Sequence, residues 1–146
     1  MDRKNGTMDT GDLMQMLEKP DGLEHLQGYP FLKDSVKERF VPMLVQCMNR
    51  CHLNAEDLTR MLLLSRSYVY QLIQGERRPS RDVVICLAFV FHLSVAETQM
   101  LLRAAQRGVL YPKVHRDACL IYSLEQKLSL QEACELLQKE NEDLLL

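Results

Sequence analysis

Helix starts recur along this chain so closely that they leave room for little except short helices. Ser94 with Glu97, and Ser129 with Glu132, each form a Ser-x-x-Glu capping box. In that device the serine oxygen takes a backbone N–H three residues on, and the glutamate reaches back to the serine's own N–H. Asn54, Ser65 and Ser80 precede further helical stretches beginning at Ala55, Arg66 and Arg81. Gly75 is a natural terminator for the second of these, because it takes a left-handed conformation without a side-chain penalty. No stretch sustains the period-two alternation of a strand. The expected fold class is therefore all-α.

The elements before Asn54 are read the same way. Asp12 is the expected cap of a short helix holding Leu13, Met16 and Leu17, ended by Lys19-Pro20, and Asp21 that of a brief turn holding Leu23 and Leu26. Gly28-Tyr29-Pro30 breaks the chain again. Asp34 or Ser35 starts a longer helix with an apolar stripe of Val36, Phe40, Met43, Leu44 and Cys47. Pro42 allows two outcomes, a kink in that helix or a fresh start at Val41–Pro42. Three segments follow: an arm of short helices (1–34), a central domain (35–106) and a C-terminal helix pair (107–146).

The segment from Arg81 to Leu102 recurs from Arg116 to Leu137, at an offset of 35. Seven of 22 positions are identical, including an Arg-Asp start and a Leu-Ser-x-x-Glu cap. Each copy reads as a helix, a tight turn and a second helix.

Composition narrows the functions. With 47% hydrophobic and 26% charged residues in 146, the chain has a globular composition and enough length to bury a core. It has no apolar run of about 18 residues, and no apolar segment behind its first charges to form a leader. A cytoplasmic protein with no membrane partner is expected. The cysteines number five, an odd count, and are expected to be free thiols filling core positions. Cys47, Cys51 and His52 share a helical spacing, but no second ligand pair lies at a zinc-like distance, so no metal site and no cofactor are expected. The four histidines are scattered and no phosphate-binding GxxxxGK[ST] loop exists, so no catalytic residues are assigned and no enzyme is expected.

Net charge is −2, but it is uneven. Residues 60–81 hold five arginines against Glu76, a balance of +4; residues 125–146 hold two lysines and six acids, a balance of −4. A basic patch on an acidic chain is the footprint of an anionic partner.

Within that patch, Ala55–Leu62 and Arg66–Gln74 are joined by three residues, Leu63-Leu64-Ser65, which is the connection of a helix-turn-helix. The pattern resembles the Cro/repressor (XRE-like) family from about Phe40 to Ala105. Leu58, Leu62, Leu64, Val69, Leu72 and Gly75 match that family's core positions and terminating glycine, and "GERRPS" precedes an apolar helix as it does there. The "SRD" segment, "LSVAETQMLL", the "YPKVHRDA" linker and the final helix pair are similar to a widespread group of bacterial helix-turn-helix proteins. The resemblance implies a lambda-repressor-like five-helix DNA-binding domain with an N-terminal arm and a C-terminal helical pair. It also implies a transcriptional regulator acting on double-stranded DNA.

The base-reading residues on the second helix would be Arg66, Ser67, Tyr70 and Gln71, with Arg66 suited to guanine and Gln71 to adenine. Phosphates would be held by Ser65, Arg77, Arg78 and Ser80, helped by the backbone N–H groups that open the helix at Arg81. A homodimer reading a two-fold site is expected, with the C-terminal pair and the Leu144–Leu146 tail as its interface. A protein partner through the same helices is the further expectation. One position departs from the family: Leu63 stands where glycine is usual. That apolar residue, with the acidic overall charge, supports an alternative reading as a protein-interaction adaptor on the same fold, with little or no DNA binding.

Overall fold

The structure is a computed structural model that describes residues 8–29, 31 and 35–146. Among them the chain is all helical, and two compact units are formed, residues 1–33 and 34–146. The first unit holds α1 (Thr10–Leu17) and α2 (Gly22–His25). The cap of α1 is Asp9, not Asp12: its carboxylate accepts from the Asp12 N–H at 2.8 Å, so Asp12 sits inside the first turn that it was expected to precede. Gly22 permits the close approach of the two helices, since a Cβ there would lie 2.0 Å from the Met16 carbonyl oxygen.

The second unit runs α3 (Val36–Cys51), α4 (Ala55–Leu62), α5 (Arg66–Gln74), α6 (Arg81–Val90), α7 (Val95–Ala104), α8 (His115–Glu125) and α9 (Leu130–Lys139). Ser35 caps α3, accepting from the Glu38 N–H at 3.1 Å; Asp34, the other candidate, lies outside the described residues. The helix passes through Pro42 without restarting, with that proline on its exposed side. The eight residues Val83 to Val90 of α6 are all buried. A helix apolar on every side belongs at the centre of a bundle. Here α4, α7 and α9 pack against it, and Phe40, Leu44, Leu58, Leu62, Val69 and Leu72 join the same core.

The helices end in a repeated way. His52, His92, Gln106, Lys127 and Asn141 all take left-handed backbone conformations, with φ between 55° and 58°. After each, the next N–H donates back to a carbonyl five residues earlier, as Leu93 does to Ala88 at 2.9 Å and Leu128 to Ser123 at 3.0 Å. This closes the last turn of each helix. It also stops α6 at Val90, short of His92, where the apolar pattern alone would carry it. The turn His-Leu-Asn or His/Lys-Leu-Ser then leads into the next cap three times, at 52–54, 92–94 and 127–129.

The repeat seen in the sequence is a structural one. The pairs α6–α7 and α8–α9 are helical hairpins, and α6 lies on α9 while α7 lies on α8. Such crossed contacts are those of two units about an approximate internal dyad. The tail also has a place within this packing: Leu145 is buried, as is its counterpart Leu110, 35 residues earlier. Part of the surface expected to join two chains is thus spent inside one.

Candidate nucleic-acid interface

The helix α4 is fixed at its start by a reciprocal box. Asn54 Oδ1 accepts from the Asp57 N–H, and Asp57 Oδ2 accepts from the Asn54 N–H, both at 2.9 Å. At its end, Leu62 is buried and Leu63 takes the left-handed conformation, with φ 54° and ψ 33°. This is the conformation that a glycine would adopt freely, and it costs a leucine about 1 kcal/mol. Its side chain is 84% exposed, so burial returns little of that cost. Ser65 then caps α5, its oxygen accepting from the Tyr68 N–H at 3.1 Å.

One side of α5 is committed to the core through Val69 and Leu72. Gly75 ends it with φ 76°, and a Cβ there would meet Lys37 Cγ at 2.6 Å, so glycine is required twice over. The other side leaves Arg66, Ser67, Tyr70 and Gln74 exposed, with Gln71 half-buried at the edge. Arg66 donates to Glu56 at 2.9 Å, and its guanidinium carbon lies 5.6 Å from the centre of the Tyr70 ring. Arg77 donates to the Gln71 side-chain oxygen at 3.1 Å and stands 5.0 Å from the Tyr68 ring centre. Both arginines are in cation–π range. The exposed face of α5 is therefore ordered by two arginine–tyrosine stacks. The expected readers Arg66, Ser67, Tyr70 and Gln71 lie together, with Ser65 at the head of the helix and Arg77 beside it. Because the Gln71 oxygen is engaged by Arg77, a two-bond contact from Gln71 to adenine would require that bond to be released.

The remaining expected phosphate ligands are placed differently. Arg78 donates through Nε to the Ala105 carbonyl at 3.1 Å and through Nη2 to that of Gln106. Its charge thus sits on carbonyls just past the end of α7, where a helix C-terminus attracts cations. The phosphate role expected for Arg78 competes with this one. Ser80 is exposed and caps α6, accepting from the Val83 N–H at 3.2 Å. Arg81 is drawn inward: it grips Asp117 with two hydrogen bonds, at 3.0 and 2.8 Å, and donates to the carbonyls of Gly108 and Val109. Burial pushes the Asp117 carboxyl up, but the Arg81 fork and the Tyr111 N–H hold it below the usual carboxylate range. Of the five arginines that make residues 60–81 basic, two, Arg78 and Arg81, are thus spent on backbone carbonyls more than 25 positions away. Sequence reasoning also missed Glu56 as the partner of Arg66, and Tyr68 as a platform for Arg77. The first pair is ten residues apart and crosses a turn, so no helical spacing announces it.

Cys51 points its thiol at the Phe91 carbonyl, 3.7 Å away. Among the described residues, three metal-binding side chains do converge, but elsewhere: His115, Cys119 and Glu140. Burial of Cys86 in the centre of α6 pushes its thiol up to about 12.

Comparison of the chain with family models, with curated proteins and with solved structures gives no match.

Proposed function

We propose that this chain is a sequence-specific DNA-binding regulator that reads the major groove with α5. We infer a lambda-repressor-like arrangement for α3 to α7. The observation that carries the reading is the outward face of α5, where Arg66, Ser67 and Tyr70 are exposed on a short helix anchored by Val69 and Leu72. A recognition helix needs this division, one face fixed and one face polar, cationic and open. Arg66 is the guanine reader, and Arg77, at the edge, holds a phosphate. Glu56 keeps Arg66 in place until a phosphate or base edge replaces it.

A second reading is favoured by one observation. Leu63 is 84% exposed, Met61 two residues before it is 43% exposed, and Tyr70 within α5 is exposed as well. An exposed leucine at the turn of a DNA-binding head suits a protein surface better than a phosphate backbone. On that reading the chain is a protein-interaction adaptor.

Selection of bound sequences from random duplex DNA at physiological salt separates the two. A regulator enriches a motif, its affinity falls with salt in proportion to the phosphates contacted, Arg66→Ala blurs the motif, and Arg77→Ala weakens all sequences alike. An absence of enrichment, with Leu63→Gly abolishing capture of a protein partner, selects the adaptor. Arg78→Ala is a poor probe, because it also unties α7.

A further inference from the structure

Four side chains that can serve a metal ion meet where the start of α8 faces the end of α9. His115 opens α8 and Cys119 lies one turn further on the same face. Glu140 and Glu142 follow α9. The His115 Nε2 is 3.4 Å from a Glu140 oxygen and 3.9 Å from the Cys119 sulfur. All three ligand atoms lie within 4.8 Å of one another. For a tetrahedral zinc ion, bond lengths of about 2.0 Å to nitrogen and oxygen and about 2.3 Å to sulfur require ligand separations of about 3.3–3.6 Å. Two of the three edges are near that size already, and the third needs to close by about 1.2 Å at most.

The fourth side chain supplies an independent observation. Glu142 accepts from the other ring nitrogen, Nδ1, at 2.9 Å. A carboxylate on Nδ1 fixes the tautomer that leaves the Nε2 lone pair free, which is the usual support of a metal-bound histidine. A cavity of about 380 Å³ lies over the cluster, with Tyr122 and Lys139 at its walls, and gives a fourth ligand room to enter.

The first hairpin supplies the control. Displaced by 35 residues, His115, Cys119, Glu140 and Glu142 fall on Ser80, Val84, Ala105 and Arg107. The same fold is built there without any of these four groups, while the Arg-Asp starts, the Ser94 and Ser129 capping boxes and the buried Leu110 and Leu145 are kept. The cluster is therefore not a requirement of the hairpin.

We propose that His115, Cys119 and Glu140 bind one zinc-class divalent ion, with Glu142 orienting His115. The thiolate and the carboxylate balance the ion's two charges, and the mixed sulfur, nitrogen and oxygen set suits zinc or cobalt over magnesium or calcium. The ion joins the start of α8 to the end of α9 and keeps one position open toward the cavity. This site is independent of the reading of α5.

The test is a titration of the chelator-treated full chain with Co²⁺, followed by displacement with Zn²⁺. The expected result is one ion per chain, with a thiolate-to-cobalt charge-transfer band that Zn²⁺ removes. Cys119→Ser abolishes the band, Glu140→Gln weakens binding, and Glu142→Gln weakens it by about 10–100-fold. A Cys47→Ser, Cys51→Ser double variant keeps band and affinity. Circular dichroism checks that each variant retains its helices, and Glu140, whose side chain is 41% exposed, can be changed even if Cys119 proves necessary for folding. No cobalt bound at micromolar concentration overturns the site, as does binding that Glu140→Gln and Cys119→Ser leave unchanged.

Discussion

The hairpins α6–α7 and α8–α9 share a plan down to individual atoms and differ in what they carry. Arg81 Nη1 and Nη2 hold Asp117, while its Nε and Nη2 hold the Gly108 and Val109 carbonyls. Thirty-five residues on, Arg116 Nη1 and Nη2 hold Asp82, while its Nε and Nη2 hold the Asp143 and Leu144 carbonyls. Each arginine thus closes its own hairpin and grips the aspartate of the other. The hairpins differ in burial. The run Val83–Val90 of α6 is enclosed by its neighbours, while α8 and α9 have an outer face. The two aspartates run the other way, Asp117 at the start of α8 being 5% exposed and Asp82 at the start of α6 37% exposed. The same plan therefore makes a central pillar once and a surface layer once. The surface layer is free to carry polar groups such as His115 and Glu140.

The largest test of that difference is the reciprocal pair of aspartates. Asp117→Ala strands a partly buried guanidinium and the Tyr111 N–H, and should cost about 3 kcal/mol in urea unfolding. Asp82→Ala removes the more exposed carboxylate and leaves Arg116, 17% exposed, with its bonds to the Asp143 and Leu144 carbonyls, and should cost about 1 kcal/mol. Equal losses would mean that burial does not distinguish the two.

The same aspartate sets an acid limit. Its carboxyl is held below the usual value in the folded chain, first against the effect of burial, by the Arg81 hydrogen bonds and the Tyr111 N–H. A depressed folded value contributes stability that is present above the unfolded value of about 3.9 and lost as pH falls through the folded one. Asp117→Asn should therefore flatten the fall in stability below about pH 4, as measured by urea midpoints at successive pH values.

A smaller effect contrasts Arg78 with its counterpart Lys113. Arg78→Ala removes the two bonds to the α7 end and should cost about 1 kcal/mol. Lys113 is exposed, and Lys113→Ala should change stability by less than about 0.5 kcal/mol. Thermal unfolding of both variants decides this. The smallest difference is expected at the caps. Ser94→Ala and Ser129→Ala each remove one side of a box with bonds of 2.9 and 3.1 Å, and should cost about 1 kcal/mol apiece. A marked inequality in chemical denaturation would show that the caps, too, depend on their surroundings.

Much of this was legible from local chemistry. The bounds of α4 and α5, the caps at Asn54, Ser65, Ser80, Ser94 and Ser129, and the stop at Gly75 all agree with the residues that announce them. Asp9 was missed because Asp12 offers the same oxygen one turn later, and nothing local ranks the two. Pro42 stayed open for a similar reason: its position suits either a kink or a fresh start, and the structure shows one continuous helix in which Phe40 and Leu44 are buried on either side of it. The α5 face was legible in its members but not in its pairings, since Glu56 and Arg77 reach it from outside the helix.

What the sequence determined by itself is where the chain turns helical and where it stops, because a cap or a left-handed terminator acts over three to five residues of its own backbone. The tertiary structure alone decided which charges are spent. Arg81 and Asp117 stand 36 positions apart, and His115 and Glu142 stand 27 apart. A guanidinium counted as part of a basic patch became a half-buried tie, because its partner arrives only when two hairpins pack.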